Sequence, residues 1–250
     1  VTKNHIRVHE MRFFAPVPAT MHANNKDNWL VAHDTSNCFY SFRVTDNGIE
    51  KPVISMDDFA FTWRKDYIQD MVFSSDGKKL AIHYYNYRDS GSVIKLYSFD
   101  KNTGKVEKRF TLVHEKQKKV HTWLSGCSNF EFSPNGSKFY YVLNYPDRAS
   151  DNYIYEFYQM DLSLIDSTSI INSNKQIKKY NDPDLGFTSI ARLKLGPDGN
   201  IYYHKGMQNT NPYLNRIVNT NDNYPKCKVI DSVVYLNDPI GRYIFSYPRY

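Results

Sequence analysis

Strand-like runs of alternating apolar and polar residues recur along this chain and are separated by tight polar turns. In three of these turns a glycine follows an Asp or Asn, and an apolar run lies on each side. An Asp-Gly or Asn-Gly pair supplies the positive φ angles that a β-hairpin turn needs. The three segments are Phe73–Ile82, Phe132–Tyr141 and Leu195–Tyr203, with turn glycines Gly77, Gly136 and Gly199. They predict three equivalent hairpins, and His22–Asp27 followed by Asn28–His33 predicts a weaker fourth.

Two further strands follow each hairpin. A third strand with alternating apolar positions comes first, and a short polar turn then leads to a fourth strand. The third strands are predicted at Cys38–Val44, Val93–Phe99, Tyr153–Met160 and Tyr213–Val218, and the fourth strands at Ile49–Ile54, Val106–Leu112, Gln176–Tyr180 and Cys227–Leu236. Four antiparallel strands per repeat are typical of the blade of a β-propeller. We therefore predict an all-β fold, a β-propeller of four-stranded antiparallel blades with four recognisable repeats plus terminal strands.

The repeats divide the chain into four consecutive segments. We assign residues 1–250 to a single β-propeller domain or propeller fragment, with repeats at approximately 17–60, 61–120, 121–182 and 183–250. The turn glycines lie 59 residues apart (77 to 136) and 63 apart (136 to 199), which exceeds the roughly 40 to 45 residues of a WD40 blade. Long loops are therefore expected, and Val1–Pro16 is expected to add strands to an incomplete blade. A β-sandwich stays open as an alternative, because spaced hairpins suit that class too.

Charge and hydropathy narrow the classes of partner. The 250 residues carry a net charge of +6, but the 32 basic side chains are scattered except in the run from Glu115 to Lys119. Binding along nucleic-acid phosphates needs several cations on one face, so no nucleic-acid partner is expected. No apolar run approaches the roughly 18 residues of a membrane-spanning helix, so no membrane-spanning segment is expected. Because the first residue is Val1, the chain is expected to be a processed product or a piece of a longer polypeptide.

The sequence lacks the common motifs that specify a reaction. It has no Gly-x-Ser-x-Gly nucleophile elbow, no His-Glu-x-x-His zinc motif and no EF-hand loop. His22 and His33 flank the first hairpin, and a structural role is favoured because no third metal ligand is identifiable. We therefore predict no catalytic residues, no metal, no cofactor and no enzymatic activity.

Aromatic residues in predicted inter-strand loops form the candidate contact surface. Amphipathic rings make rigid contacts at low entropic cost, which suits a protein or glycan partner. In the alternative interpretation, Tyr and Phe rings fill the gaps between splayed sheets, and the two interpretations are evenly balanced for the loop from Tyr84 to Arg88. The candidate surface comprises Tyr84, Tyr85, Tyr87, Arg88 and Trp123.

Several short motifs occur in an order that spans nearly the whole chain. They are His22-Ala-Asn with Asp27 and Trp29, Phe39-Tyr40, Asn47-Gly48-Ile49, Pro52–Ser55, Phe130–Pro134, Leu193–Tyr202, Ile217–Asn219 and Cys227. In this order the chain resembles the WD40-like propeller region of Bacteroidetes surface and secreted proteins that often end in a gliding-motility-associated, type IX sorting domain. The family usually has about two more blades upstream, and its closing motif is replaced here by Phe245–Tyr250. The propeller is thus expected to be either shortened or incomplete in this chain.

The resemblance implies an extracytoplasmic location, either secreted, cell-surface or periplasmic, and no general enzymatic activity. In an exported protein, Cys127 and Cys227 are the better candidates for a disulfide, because neighbouring blades bring their connectors together. Cys38 lies on a predicted strand beside Phe39 and is expected to be a small buried residue. A bridge requires Cα atoms roughly 4.4 to 6.8 Å apart, which sequence cannot establish.

We therefore predict a non-enzymatic extracytoplasmic binding or assembly module whose rim loops contact a protein or glycan at the cell envelope. Further blades, from the same polypeptide or another chain, are additional candidate partners. One alternative is a propeller hydrolase or lyase that acts on glycans. The other is a scaffold component of a cell-envelope secretion or motility complex. The predicted rigid blades supply a platform in each case, and fold alone does not choose between them.

Overall fold

A computed structural model describes residues 16–34, 37–57, 66–86, 91–115, 126–147, 153–182, 193–204 and 213–235 of the chain. These residues form four antiparallel sheets. The first sheet comprises β1 (Ala19–Met21), β2 (Asn28–His33), β3 (Cys38–Thr45), β4 (Gly48–Ile49) and β5 (Val53–Met56), and the second β6 (Asp66–Phe73), β7 (Lys79–Asn86), β8 (Gly91–Phe99) and β9 (Val106–Glu115). The third comprises β10 (Gly126–Phe132), β11 (Lys138–Pro146), β12 (Tyr153–Asp161) and β13 (Lys175–Asp182), with α1 (Ser167–Asn172) before β13. The fourth comprises β14 (Lys194–Leu195), β15 (Ile201–His204), β16 (Tyr213–Val218) and β17 (Lys228–Tyr235).

Consecutive strands are neighbours in the second, third and fourth sheets and from β1 to β4 in the first, so each repeat folds as an up-and-down meander. This arrangement confirms the prediction of an all-β protein built from four-stranded antiparallel propeller blades. In the first sheet, the predicted fourth strand Ile49–Ile54 is divided into β4 and β5, which both pair with β3. Pro52 lies between them and has no backbone N–H, so it cannot continue the ladder of hydrogen bonds.

The hairpin turns have the backbone conformation that their sequence pattern predicts. Gly77, Gly136 and Gly199 join the first two strands of the second, third and fourth sheets, with φ angles of 69°, 66° and 79°. Asn25 has φ 56° in the first hairpin, which explains why that copy lacks the glycine. Asn is one of the few residues that enters this region routinely, since its short polar side chain forms local hydrogen bonds. The predicted equivalence of the three glycines is confirmed.

The short helix α1 was not predicted. Asp166 caps it by accepting a hydrogen bond from the backbone N–H of Ser169 at 2.8 Å. Ile170 is fully buried, while Ile165, just before the cap, is 95% exposed. Six residues show less than two helical turns of periodicity, so only the capping Asp166 was available as a sequence signal.

The sheets pack in pairs within two compact units. The first unit holds the first sheet and most of the second, where the rings of Phe39 and Tyr97 meet edge to face at 5.0 Å. The second unit holds the third and fourth sheets, where Phe157 lies 4.8 Å from Tyr203 between ring centroids. Burying such a side chain stabilises a fold by about 1.5 to 3 kcal/mol. Assignment of residues 1–250 to one propeller domain stays a prediction, and residues 1–15 lie outside the described part.

Within the described residues, no helix is long and apolar enough to cross a membrane.

Candidate docking face on the fourth sheet

Tyr84 does not belong to a contact surface, and that prediction is wrong. It lies on β7, is 1% exposed, and donates a hydrogen bond from its hydroxyl to Asp57 at 2.7 Å. The interpretation in which rings fill the space between sheets is therefore correct for Tyr84. Tyr85 lies on the same strand, opposite Tyr67 in the ladder. Tyr87, Arg88 and Trp123 lie outside the described residues, so their contact role stays a prediction.

A buried polar group, here called the Asp57 cluster, joins the first and second sheets. It consists of His33, Asp57, Tyr84 and Tyr97. The Asp57 carboxylate accepts hydrogen bonds from the hydroxyls of Tyr84 at 2.7 Å and Tyr97 at 2.9 Å, and it lies 3.2 Å from His33 Nε2. Burial raises the pKa of Asp57, but the hydrogen bonds from His33 and the two tyrosines hold it below its ordinary value of 3.8. Burial also raises the pKa of Tyr84 well above its ordinary value.

The Asp57 cluster is closed to solvent. The side chains of His33 and Asp57 have no exposed surface, so neither reaches a substrate in this conformation. His22, at the other end of the first hairpin, accepts a hydrogen bond at Nδ1 from the backbone N–H of Asn24 at 2.9 Å. Both histidines thus have hydrogen-bonded positions within the fold. In the described part of the chain, no three His, Cys, Asp or Glu side chains are grouped to hold a metal ion.

The predicted disulfide between Cys127 and Cys227 is not formed in the structure. Cys227 carries a free thiol that is 0% exposed, and its sulfur accepts a hydrogen bond from Gln159 Nε2 at 3.3 Å. Burial raises the pKa of this thiol. Cys127 lies on β10 opposite Leu143. Cys38 is buried, as expected, and forms no disulfide.

The two sheets of the first unit are joined by a docked turn. Trp29 on β2 donates a hydrogen bond from its indole N–H to the carbonyl of Lys101, in the turn between β8 and β9, at 2.9 Å. Gly104, in the same turn, packs so closely against the Trp29 ring that an added Cβ would come within 2.7 Å of two ring carbons. The third-to-fourth-strand turn of the second sheet thus rests on the first hairpin of the preceding sheet.

The two sheets of the second unit repeat this contact. Tyr140 on β11 donates from its hydroxyl to the carbonyl of Thr220, in the turn between β16 and β17, at 2.7 Å. Beside it on β12, Gln159 donates to the carbonyl of Asp222 at 2.8 Å and accepts from the backbone N–H of Tyr224 at 3.0 Å. Tyr140 and Gln159 are 0% and 3% exposed. In both units, side chains of one sheet therefore donate hydrogen bonds to backbone carbonyls in a turn of the following sheet.

The donors occupy equivalent positions in the strand ladders. We count the residues of each second strand that pair with the first strand, starting from the hairpin turn. The second such residue is Trp29 in the first sheet, opposite Thr20, and Tyr140 in the third sheet, opposite Glu131. In the fourth sheet that position belongs to Tyr202, opposite Lys194. On the third strand, Gln159 lies opposite Tyr140 and Arg216 lies opposite Tyr202. Tyr202 and Arg216 are thus the counterparts of Tyr140 and Gln159, which donate hydrogen bonds to the docked turn.

One face of the fourth sheet, here called the outward face, points away from the core shared with the third sheet. It comprises two rows across β15, β16 and β17, which are Tyr202, Arg216 and Ile230, and His204, Leu214 and Val234. The alternate residues Ile201, Tyr203 and Ile217 form the opposite face and are all 0% exposed, in the core cluster with Tyr140 and Phe157.

The outward face remains accessible. Ile230 and Val234 are 37% and 39% exposed. Arg216 Nε is buried and has no hydrogen-bond partner among the described residues. Sequence reasoning missed this face because it searched loops. The sequence alone gives no direct signal, because Tyr202 lies three residues after Gly199 and Tyr140 lies four after Gly136, and only the strand pairing makes them equivalent.

Comparison with known proteins supports the fold class and gives no closer relationship. No family model matches the chain, and no curated protein matches it. Three similar solved structures are a hydrazine synthase of Kuenenia stuttgartiensis, the β-propeller domain of Myceliophteria thermophila Cps50 (Swd1) and the periplasmic gluconolactonase PpgL of Pseudomonas aeruginosa. Their identities are 12%, 10% and 9%, with TM-scores of 0.47, 0.42 and 0.39. The matches cover 80%, 77% and 87% of this chain and 51%, 50% and 69% of theirs, so the chain spans about half the length of the first two.

These findings correct the prediction that the chain is not an enzyme. The similar structures include a gluconolactonase as well as a Swd1 propeller domain, so structures of this kind belong to enzymes as well as to other proteins. A fold hosts unrelated functions, and function is argued from a site. The absence of a familiar catalytic motif is therefore no ground for excluding an activity.

Proposed function

We propose that the chain is an assembly module of the β-propeller type, and that the outward face of its fourth sheet binds a protein partner. One observation carries the proposal: at the positions where the third sheet holds its neighbour, this face has only partly buried side chains and a buried donor without a partner among the described residues, with exposed apolar side chains on the next strand. Tyr140 and Phe157 on that face of the third sheet are 0% and 1% exposed, whereas their counterparts in the fourth sheet, Tyr202 and Leu214, are only partly buried.

Apolar burial supplies the attraction in this proposal. Removing apolar surface from water contributes about 25 cal/mol for each Å², and the core of a protein interface is more apolar than its rim. Ile230 and Val234 lie on β17, which pairs with β16 on one side. A strand that ends a sheet also offers backbone N–H and C=O groups to another polypeptide. A protein partner therefore fits both the side chains and the backbone of this strand.

The location of the partner is a separate part of the proposal. We place it at the cell envelope on the strength of the sequence resemblance to Bacteroidetes surface proteins alone. Fractionation of native host cells tests this part, and recovery of the chain only with cytoplasmic markers would refute it.

The experiment for the docking face is a pair of charge substitutions. The double variant Ile230→Glu, Val234→Glu places two carboxylates on the outward face, and Ile165→Glu places one on a 95% exposed position before α1. Native extracts of host cells that express each form are separated by size. We expect wild type and Ile165→Glu to elute in a complex larger than the chain and the double variant to elute as the free chain.

Circular dichroism and urea unfolding of the purified variants control for loss of fold. The proposal fails if wild type elutes only as the free chain, or if the folded double variant keeps the size of the wild-type complex.

A further inference from the structure

We infer that the outward face receives an antiparallel sheet of a partner protein, and that Tyr202 and Arg216 hold the backbone carbonyls of a turn in that sheet. This inference rests on the proposed function and names the chemistry of its partner. The turn would join the third and fourth strands of the arriving sheet and would lie over the hairpin Gly196–Asn200.

The first argument is the repetition of one donor position. Trp29 and Tyr140 occupy the second paired position of a second strand, and each donates to a turn carbonyl of the next sheet, at 2.9 Å and 2.7 Å. Tyr202 occupies the same position in the fourth sheet and also has a donor at the end of a ring. The position is thus used in the same way in the first and third sheets, while in the second sheet it belongs to Ala81, opposite Val72.

The second argument is the unpaired donor. Gln159 is buried at the third-strand position and donates to the carbonyl of Asp222 at 2.8 Å. Arg216 is its counterpart, and Arg216 Nε is buried without a hydrogen-bond partner among the described residues. Leaving a buried donor unsatisfied is costly, so an arriving carbonyl at this point would remove that cost.

The third argument is that Tyr202 is free to change partner. Its hydroxyl donates to Asp198 Oδ2 at 2.7 Å, in its own hairpin turn. Asp198 also accepts from the backbone N–H of Asn200 at 3.1 Å and from the Asn200 side-chain amide at 2.6 Å. When the Tyr202 hydroxyl rotates towards a docked turn, the Asp198 carboxylate keeps both bonds and its contact with water. The exchange thus leaves no buried group unpaired.

The hairpin itself offers a third contact. In the third sheet, the backbone N–H of Asn135 donates to Asn221 Oδ1 of the docked turn at 3.2 Å. Asp198 is the counterpart of Asn135, since each follows a proline and precedes the turn glycine. A turn with an Asn or Asp side chain at the matching place would bond in the same way. This requirement favours a tight polar turn of a sheet over the surface of a helix.

Site-directed photocrosslinking in native host cells tests the inference. A benzophenone amino acid replaces Ile230 in the full chain, and mass spectrometry identifies the crosslinked peptide. In this background, Tyr202→Phe and Arg216→Met remove the proposed donors, while Tyr224→Phe is a matched control in the turn between β16 and β17, at a 48% exposed position.

We expect the crosslinked peptide to come from another protein and to lie at a turn between two antiparallel strands. Loss of one hydrogen bond weakens binding by about fivefold to tenfold, so the yield should fall by that factor in Tyr202→Phe and in Arg216→Met. The yield in Tyr224→Phe should equal that of the parent. Urea unfolding of each purified variant confirms that the fourth sheet is intact.

Other outcomes separate the inference from the proposed function. A crosslink to a helical surface, or yields that do not change in Tyr202→Phe and Arg216→Met, would overturn the inference and leave the protein-docking function standing. A crosslink to a peptide of this chain would identify a second copy or the chain itself as the occupant, and the partner-sheet inference would fall. Absence of any protein crosslink would overturn both.

Discussion

Replacing Asp57 with Asn tests whether the Asp57 cluster stabilises the first unit. The carboxylate is fully buried and accepts hydrogen bonds from Tyr84 and Tyr97 at 2.7 and 2.9 Å, with His33 Nε2 at 3.2 Å. Hydrogen bonds to a charged group contribute about 1.5 to 3 kcal/mol each. Asn keeps one acceptor oxygen but turns an NH₂ group towards the other donors. We expect Asp57→Asn to lower the free energy of unfolding by about 3 kcal/mol, which corresponds to the loss of one or two hydrogen bonds to a charged acceptor.

Urea unfolding of the full chain, followed by tryptophan fluorescence, measures this change. Trp29 lies in the same unit as the Asp57 cluster, 6.1 Å from Phe99 between ring centroids, and reports on its packing. Asp46→Asn is the matched control, because it removes an exposed ion pair with Lys26 and should cost less than about 1 kcal/mol. An effect of Asp57→Asn no larger than that of the control would refute the structural role assigned to the cluster.

The same variant predicts a pH dependence. Because the pKa of Asp57 is lowered in the folded state, its contribution is fully present above the ordinary value of 3.8 and is lost as pH falls through the lowered pKa. The difference in unfolding free energy between wild type and Asp57→Asn should therefore be constant from about pH 5 to 7 and shrink below about pH 4. A difference that stays constant down to pH 3 would contradict the lowered pKa.

Two further predictions concern the turn contacts and the thiols. Gly104 has φ 76° and an added Cβ would lie 2.7 Å from the Trp29 ring, so Gly104→Ala should lower the unfolding free energy by about 2 to 4 kcal/mol and shift the Trp29 emission; an unchanged urea midpoint would contradict the docked turn. Cys227 is buried and its thiol has a raised pKa, so iodoacetamide should alkylate it at least tenfold more slowly in native protein than in urea-unfolded protein. Peptide mass spectrometry follows the reaction, and equal rates would show that the thiol is accessible.

Hairpin turns and most strand positions follow from the sequence by itself. Gly77, Gly136 and Gly199 have the positive φ angles expected from their Asp-Gly or Asn-Gly pairs, because a turn is governed by the steric limits of two or three residues. The third strand of the fourth repeat was predicted at Tyr213–Val218 and is observed there. The divided strand around Pro52 and the short helix α1 were missed, because each depends on one residue within a short segment.

Tertiary structure alone decided which face of each strand is buried and where its polar atoms find partners. The alternation of side chains along β7 places Tyr84 on one face of the strand. That face becomes an interior one only because Asp57, 27 residues earlier in the chain, packs against it. Tyr140 and Tyr202 have equivalent local positions, yet Tyr140 is 0% exposed and Tyr202 only partly buried, because the fourth sheet covers Tyr140. Local sterics act between neighbours in sequence, whereas burial depends on which surfaces meet after the sheets have formed.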